Sequence, residues 1–208
     1  TDIVSFDVYP VSGIRKEDGE RFLWYVAKGV DSLRVWSDGR KIVWNVIETT
    51  RINADRGPTP DQARSEVWMS IIHGSQGIVY FAHEWNPVFR EARLLEDEAM
   101  RQGVGRINAQ IHRLAPVLNA GTGSVQVSVA TDPSEIPVDV MVREANGELY
   151  VFAVSMRQEA ASATFSLVGG DERDLVEVVD EDRSLQLTQG SFTDHFTPYE
   201  VHIYRLSR

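Results

Sequence analysis

Residues 41–48 read KIVWNVIE, a β-branched run with the length of one buried strand, and the run closes on a carboxylate. Two further apolar runs, 3–9 and 77–85, precede and follow it in the sequence. The segments between and after the runs have helical periodicity, which predicts helices over 20–38, from Thr59 to Gly74, and up to Asn119. This alternation of strands and helices is typical of a parallel βαβ sheet.

The second of these helices has the clearest start signal. Thr59 can cap the first turn, Pro60 suits the first helical position, and Gln62 completes a capping box. Gly74 marks the end of the helix.

After Gly121-Thr122-Gly123 the pattern changes to short runs in which apolar and polar residues alternate. These runs cover 125–129, 138–142, 149–153, 165–167, 176–178, 185–187 and 201–203. Asn146-Gly147 lies between two of them and predicts a tight hairpin. We therefore predict two domains, an α/β domain over 1–120 and an antiparallel β-sandwich over 121–208.

Composition and charge narrow the class of partner. The chain has 208 residues, with 21 basic and 31 acidic side chains and a net charge of −10. This balance argues against nucleic acid and anionic membranes, and no apolar run is long enough for a membrane span. The sequence has no cysteine, which excludes a disulfide framework, a zinc ribbon and a thiol nucleophile. A neutral substrate such as a sugar fits this charge.

Unusual side chains gather at the ends of the three predicted strands. The first run closes with Asp7 and Tyr9, the second with Glu48, and the third with His83-Glu84-Trp85. In parallel α/β folds, reactive groups lie at the carboxyl ends of the strands. Carboxylates that take sugar hydroxyls and rings that stack on sugar C–H faces would together form a carbohydrate site. No metal or cofactor is expected, because the histidines are scattered and no phosphate-loop or zincin pattern occurs.

Three segments resemble the last three β/α units of retaining (β/α)₈-barrel glycoside hydrolases, in the clan whose nucleophile glutamate ends the seventh strand. They are FDVYP at 6–10, WNVIET at 44–49 and HGSQGIVYF at 73–81. Two further segments, 149–154 and 198–204, resemble the β-sandwich that often follows such barrels. The resemblance implies an α/β plus all-β chain, with a partial TIM barrel followed by an antiparallel β-sandwich.

The resemblance also implies roles for individual residues. Glu48 matches the nucleophile, Trp85 matches the indole that floors the sugar site, and Tyr9 matches a hydrogen-bond partner of the nucleophile. Each has a plainer alternative: Glu48 as a helix cap or loop residue, Trp85 as rim packing, Tyr9 as a structural residue, and Asp7 as an acceptor for loop amides. If Glu48 points inward, alternation places Asn45 against the helices.

The acid/base glutamate of this clan lies at the end of strand four of the barrel. The sequence has no counterparts of strands one to five, so it has no counterpart of that glutamate. We therefore expect a glycoside hydrolase fragment that is inactive alone, and either a homo-oligomer or an N-terminal barrel segment that completes it. The alternative is a non-catalytic carbohydrate-binding or interaction module. It would use aromatic residues of the sandwich, namely Tyr150, Phe152, Phe192, Phe196 and Tyr199. An exposed row of these rings would favour the alternative, and their burial would favour the enzyme fragment.

Overall fold

A computed structural model describes residues 1–14, 18–85, 87–168 and 175–207. The chain divides into two units, Thr1–Gln110 and Ile111–Arg208. The first unit is mixed α/β and the second is built mainly from β-strands.

The first unit contains a three-stranded sheet of β1 (Ile3–Asp7), β2 (Ile42–Glu48) and β3 (Gly77–Phe81) in the order β1-β2-β3. Both pairings are parallel, as the sequence predicts. The third strand is shorter than the predicted run 77–85, because regular pairing ends at Phe81. His83, Glu84 and Trp85 therefore lie in the loop that follows.

Helices α1 (Tyr25–Trp36) and α2 (Pro60–Ile72) contact the sheet, and α3 (Arg93–Glu96) and α4 (Glu98–Leu118) follow β3 in sequence. The predicted helix 20–38 is too long, because a 3₁₀ turn over Gly19–Phe22 precedes α1 and brings Leu23 into the core. No helix in the described parts of the chain combines the length and apolarity needed to cross a membrane.

The start of α2 confirms the predicted capping box. The Gln62 amide nitrogen donates to the Thr59 hydroxyl at 3.2 Å, and the Thr59 amide nitrogen donates to the Gln62 side chain at 2.9 Å. The helix ends at Ile72, His73 is its C-cap residue, and Gly74 follows with φ +102°. The left-handed backbone explains the glycine at this position.

The two faces of the parallel sheet differ in burial. Val43, Asn45 and Ile47 are buried on one face, where Asn45 Nδ2 donates to Ser70 Oγ of α2 at 2.8 Å. Asn45 thus faces the helices, as alternation predicts.

The opposite face of the sheet carries apolar side chains that are exposed. Ile3, Ile42, Trp44 and Val79 are 36 to 41% exposed. The register places all four on the same side of the sheet, and we call them the open face. Parallel sheets are normally covered on both faces, so the open face is the unusual feature of this unit.

The second unit contains two antiparallel sheets, one in the order β10-β7-β4 and the other in the order β5-β6-β11-β8-β9. The strands are β4 (Gln126–Asp132), β5 (Val138–Ala145), β6 (Glu148–Ser155), β7 (Ala161–Val168), β8 (Leu175–Val178), β9 (Arg183–Gln186), β10 (Ser191–Phe196) and β11 (Val201–Leu206). Strand β10 is absent from the sequence-based prediction, because Asp194 occupies a buried position between Phe192 and Phe196. The predicted hairpin joins β5 to β6, with Asn146 at φ 55° and Gly147 at φ 80°.

The two sheets share one apolar core. Phe165 and Phe192 of the three-stranded sheet lie 5.2 and 4.9 Å from the ring of Tyr204 in the five-stranded sheet. This is the arrangement of a β-sandwich. All five aromatic residues on which the binding-module alternative rests are buried, so they present no row of rings to a ligand.

Candidate active site

The carboxyl ends of the three parallel strands meet at one edge of the sheet. Asp7 ends β1 opposite Val46, and Glu48 ends β2 opposite Phe81 of β3. The strand-end residues predicted from the sequence therefore come together in the first unit, although they differ strongly in exposure.

Asp7 and Tyr9 form the solvent-facing polar part of this edge. Asp7 is exposed, and its carboxylate is hydrogen-bonded to the phenol of half-buried Tyr9. Burial raises the pKa of Tyr9, and the charge of Asp7, this hydrogen bond and the charge of Glu48 raise it further. Tyr9 thus lies within electrostatic reach of Glu48, while its phenol bonds to Asp7.

Glu48 is fully buried, and the turn Pro10–Ile14 holds its carboxylate. The Val11 amide nitrogen donates to Oε1 at 2.6 Å, while the Ser12 amide nitrogen and hydroxyl donate to Oε2 at 2.7 and 2.5 Å. Burial raises the pKa of Glu48, and these hydrogen bonds oppose the rise. In this conformation the carboxylate is buried and is held by the turn.

A second carboxyl group that the sequence analysis did not identify contacts Glu48. Glu66, in the middle of α2, is also fully buried, its carboxyl group lies next to that of Glu48, and neither of its oxygens has a hydrogen-bond donor among the described residues. A signal was available in the sequence, because Ala63, Glu66 and Ser70 follow the 3-4 spacing of a buried helix face. A charged residue on that face is a candidate for a buried polar contact.

Aromatic rings continue the edge beyond β3. The Phe81 ring lies 5.2 Å from Tyr9 and 5.5 Å from His83, and the His83 ring lies 6.4 Å from Trp85 and 5.9 Å from Phe89. Trp85 and Phe89 are each 52% exposed, with ring centroids 4.8 Å apart. Trp85 therefore presents an aromatic face next to a second ring that the sequence analysis did not identify.

An ion-pair cluster fixes the loop that carries these two rings. Glu84 is buried, and its carboxylate lies 3.2 Å from Arg51 and 3.3 Å from Arg93. The backbones of Glu84 and Arg90 exchange two hydrogen bonds of 3.0 and 2.8 Å. The loop is thus anchored at both ends while Trp85 and Phe89 stay accessible.

The described side chains in this region provide carboxylates, a phenol and aromatic faces. No group of three or more histidine, aspartate or glutamate side chains in the described ranges is arranged to hold a metal ion. The arrangement is suited to hydrogen bonding with hydroxyl groups and to stacking on apolar ring faces.

Comparison with known proteins gives structural neighbours only. No family profile and no curated protein matches the sequence. The α-amylase from Geobacillus thermoleovorans, solved with acarbose, aligns with a TM-score of 0.56 and 9% identity over 89% of this chain. CelM2, a bifunctional glucanase-xylanase from a metagenome library, aligns with a TM-score of 0.56 and 12% identity over 99%. AmyP in complex with maltose gives a TM-score of 0.54 and 7% identity over 97%.

The chain spans about half the length of these neighbours, namely 47, 43 and 54% of each. By name, one of these neighbours is an α-amylase and another is a glucanase-xylanase, and AmyP binds maltose. At these identities the similarity shows a shared fold.

Proposed function

We propose that this chain is the C-terminal part of a retaining glycoside hydrolase, a partial (β/α) barrel over 1–120 and a β-sandwich over 121–208. Glu48 is the nucleophile in this proposal, and Trp85, Tyr9 and Asp7 bind the sugar. The observation that carries it is the open face of the parallel sheet, together with neighbours of about twice the matched length.

The open face has the composition of a barrel interior. The inside of a (β/α)₈ barrel is filled by branched and bulky side chains from all its strands. Here Trp44 packs over Gly77, where an added Cβ would lie 2.5 Å from the indole, and Val79 stays exposed beside it. Further strands, from an N-terminal segment or another chain, would cover this face and pair with the edges of β1 and β3.

The proposed chemistry places two demands on the site. A retaining mechanism needs a second carboxyl group about 5–5.5 Å from the nucleophile, and we propose that polypeptide outside this sequence supplies it. The turn Pro10–Ile14 must also release the carboxylate, because its oxygens are bonded to Val11 and Ser12. The chain alone is therefore expected not to hydrolyse aryl glycosides.

Trp85→Ala is expected to weaken carbohydrate binding at least tenfold, since a half-exposed indole supplies the stacking face. Isothermal titration with maltotriose and with xylotriose, at millimolar concentrations, measures the effect. Trp36→Ala is the matched control, because Trp36 is an exposed indole at the end of α1, away from the strand ends. Equal loss in both variants, or full binding by Trp85→Ala, would contradict the proposed sugar site.

The open face is expected to make the isolated chain self-associate, because exposed apolar residues and unpaired strand edges favour contacts between copies. Val79→Lys should shift the chain toward monomer in size-exclusion chromatography with light scattering. Val168→Lys changes a valine that is 61% exposed in the second unit and serves as the control. A wild-type chain that stays monomeric at high micromolar concentration would refute this expectation.

A further inference from the structure

Glu66 is a buried titratable group that the proposed mechanism does not use. Its side chain lies in the middle of α2 and is fully buried. Among the described residues, no donor group bonds to either of its carboxyl oxygens, and the carboxyl group of Glu48, itself fully buried, lies next to it. Two carboxyl groups form a hydrogen bond only when one of them carries a proton. Ionising two adjacent buried carboxyl groups together is costly, so we expect one of them to hold a proton that the pair can share.

The surroundings of the two carboxyl groups decide which one holds that proton. Glu48 accepts hydrogen bonds from Val11 and Ser12, and such donors favour the ionised form. Glu66 has no comparable donor, and both burial and the charge of Glu48 favour its neutral form. Environments that differ in this way separate two neighbouring carboxyl groups into an acid and a base.

No basic side chain compensates the pair within the described residues. Neither carboxyl group forms an ion pair with a lysine, arginine or histidine in the described parts of the chain. Each of the two carboxyl groups acts on the pKa of the other, and the charge of Glu48 also raises the pKa of the nearby Tyr9 phenol. A single negative charge on two buried carboxyl groups is the arrangement with the lower desolvation cost.

We propose that Glu66 is a positioning residue: it keeps its proton, donates a hydrogen bond to the carboxylate of Glu48, and so holds that carboxylate between α2 and the turn Pro10–Ile14. Glu66 thereby fixes the orientation of Glu48 and keeps it anionic at neutral pH. The role in preparing a nucleophile rests on the proposed function, whereas the shared proton does not.

Carboxyl-carbon NMR on the whole chain, labelled with glutamate carrying ¹³C at Cδ, tests the pair directly. In the wild type, one glutamate resonance should keep the chemical shift of a protonated acid at pH 7. Glu66→Gln should remove that resonance. Glu135→Gln changes an exposed glutamate of the second unit and should leave the resonance in place.

Two variants separate hydrogen bonding from space filling. Glu66→Gln keeps a donor toward Glu48, so the titration midpoint of Glu48 should stay within about half a pH unit of the wild type. Glu66→Leu removes the donor, so that midpoint should rise by at least one pH unit. A role in packing alone would give the same midpoint in both variants.

The proposal is overturned if no glutamate carboxyl is protonated at pH 7 in the wild type, a result that needs no variant to fold. Equal Glu48 midpoints in the Gln and Leu variants would also overturn it. Neither measurement depends on carbohydrate binding or hydrolysis. If the proposed glycoside hydrolase function is wrong, these results are therefore unaffected.

Discussion

Asp194→Ala is expected to lower the free energy of unfolding by about 3 kcal/mol, because the carboxylate ties the two sheets of the second unit together. Arg183 donates to both oxygens of Asp194, at 2.9 and 2.8 Å, and the Tyr204 hydroxyl donates at 2.9 Å. The variant leaves the buried Tyr204 hydroxyl without its acceptor. Arg183 is about one-third exposed, and in the variant it still has Glu181 as a partner, at 2.8 Å. The expected loss is therefore at the lower end of the range for breaking a buried ion pair.

The pH dependence of this contact has a definite sign. Burial alone would raise the pKa of Asp194, but hydrogen bonds from Arg183, Tyr204 and the His195 amide outweigh it, so the pKa is lowered. The contribution to stability is therefore present above the pKa of the unfolded chain and is lost as the pH falls through the folded value. The difference between wild type and variant should shrink in acid.

Urea denaturation followed by circular dichroism measures the loss, and hydrogen exchange of β10 and β11 localises it. Glu135→Ala is the control, because Glu135 is exposed and forms no ion pair within the described residues. A loss below 1 kcal/mol for Asp194→Ala would show that the contact between the sheets contributes little.

The sequence predicts those structural features that depend on residues close together in the chain or on the order of strands and helices. The capping box of α2 needs residues three positions apart, and parallel pairing follows from the alternation of strands and helices. Strand β10 was missed because Asp194 breaks its apolar alternation, and only the fold shows that Arg183 and Tyr204 satisfy that carboxylate.

The candidate site also has a part that the sequence predicts and a part that only the fold shows. Strand ends in the sequence place Asp7 and Glu48 at one edge, because parallel strands share a direction. The burial of Glu48 depends on Val11 and Glu66, which are distant in sequence and meet it only through the fold. The exposure of Trp85 depends likewise on a loop fixed by Glu84. Such contacts leave no periodic signal.

Glu66→Gln is expected to change how the stability of the first unit depends on pH. Burial and the charge of Glu48 raise the pKa of Glu66 well above its ordinary range. Below the pKa of the unfolded chain, about 4.3, the carboxyl group is protonated in both states and its contribution is fully present. Above that value the unfolded chain releases a proton that the folded chain retains, so stability is lost until the pH passes the folded pKa.

The expected difference is about 1.4 kcal/mol for each pH unit within that window, the value for one proton. The wild type should therefore lose stability relative to Glu66→Gln at that rate, because glutamine has no proton to release. Glu48 also has a raised pKa, but it is present in both proteins, so its effect largely cancels in the comparison.

Urea denaturation at several pH values, followed by tryptophan fluorescence, measures this difference in the relevant unit. All five tryptophans lie within the first unit, so the signal reports on the part that contains Glu48 and Glu66. Glu91→Gln is the control, because Glu91 is exposed and its carboxylate forms no hydrogen bond among the described residues. Parallel stability curves for wild type and Glu66→Gln would mean that Glu66 ionises normally in the folded chain. In that case the two buried carboxyl groups would share no proton, and solvent or a cation would have to stabilise both charges.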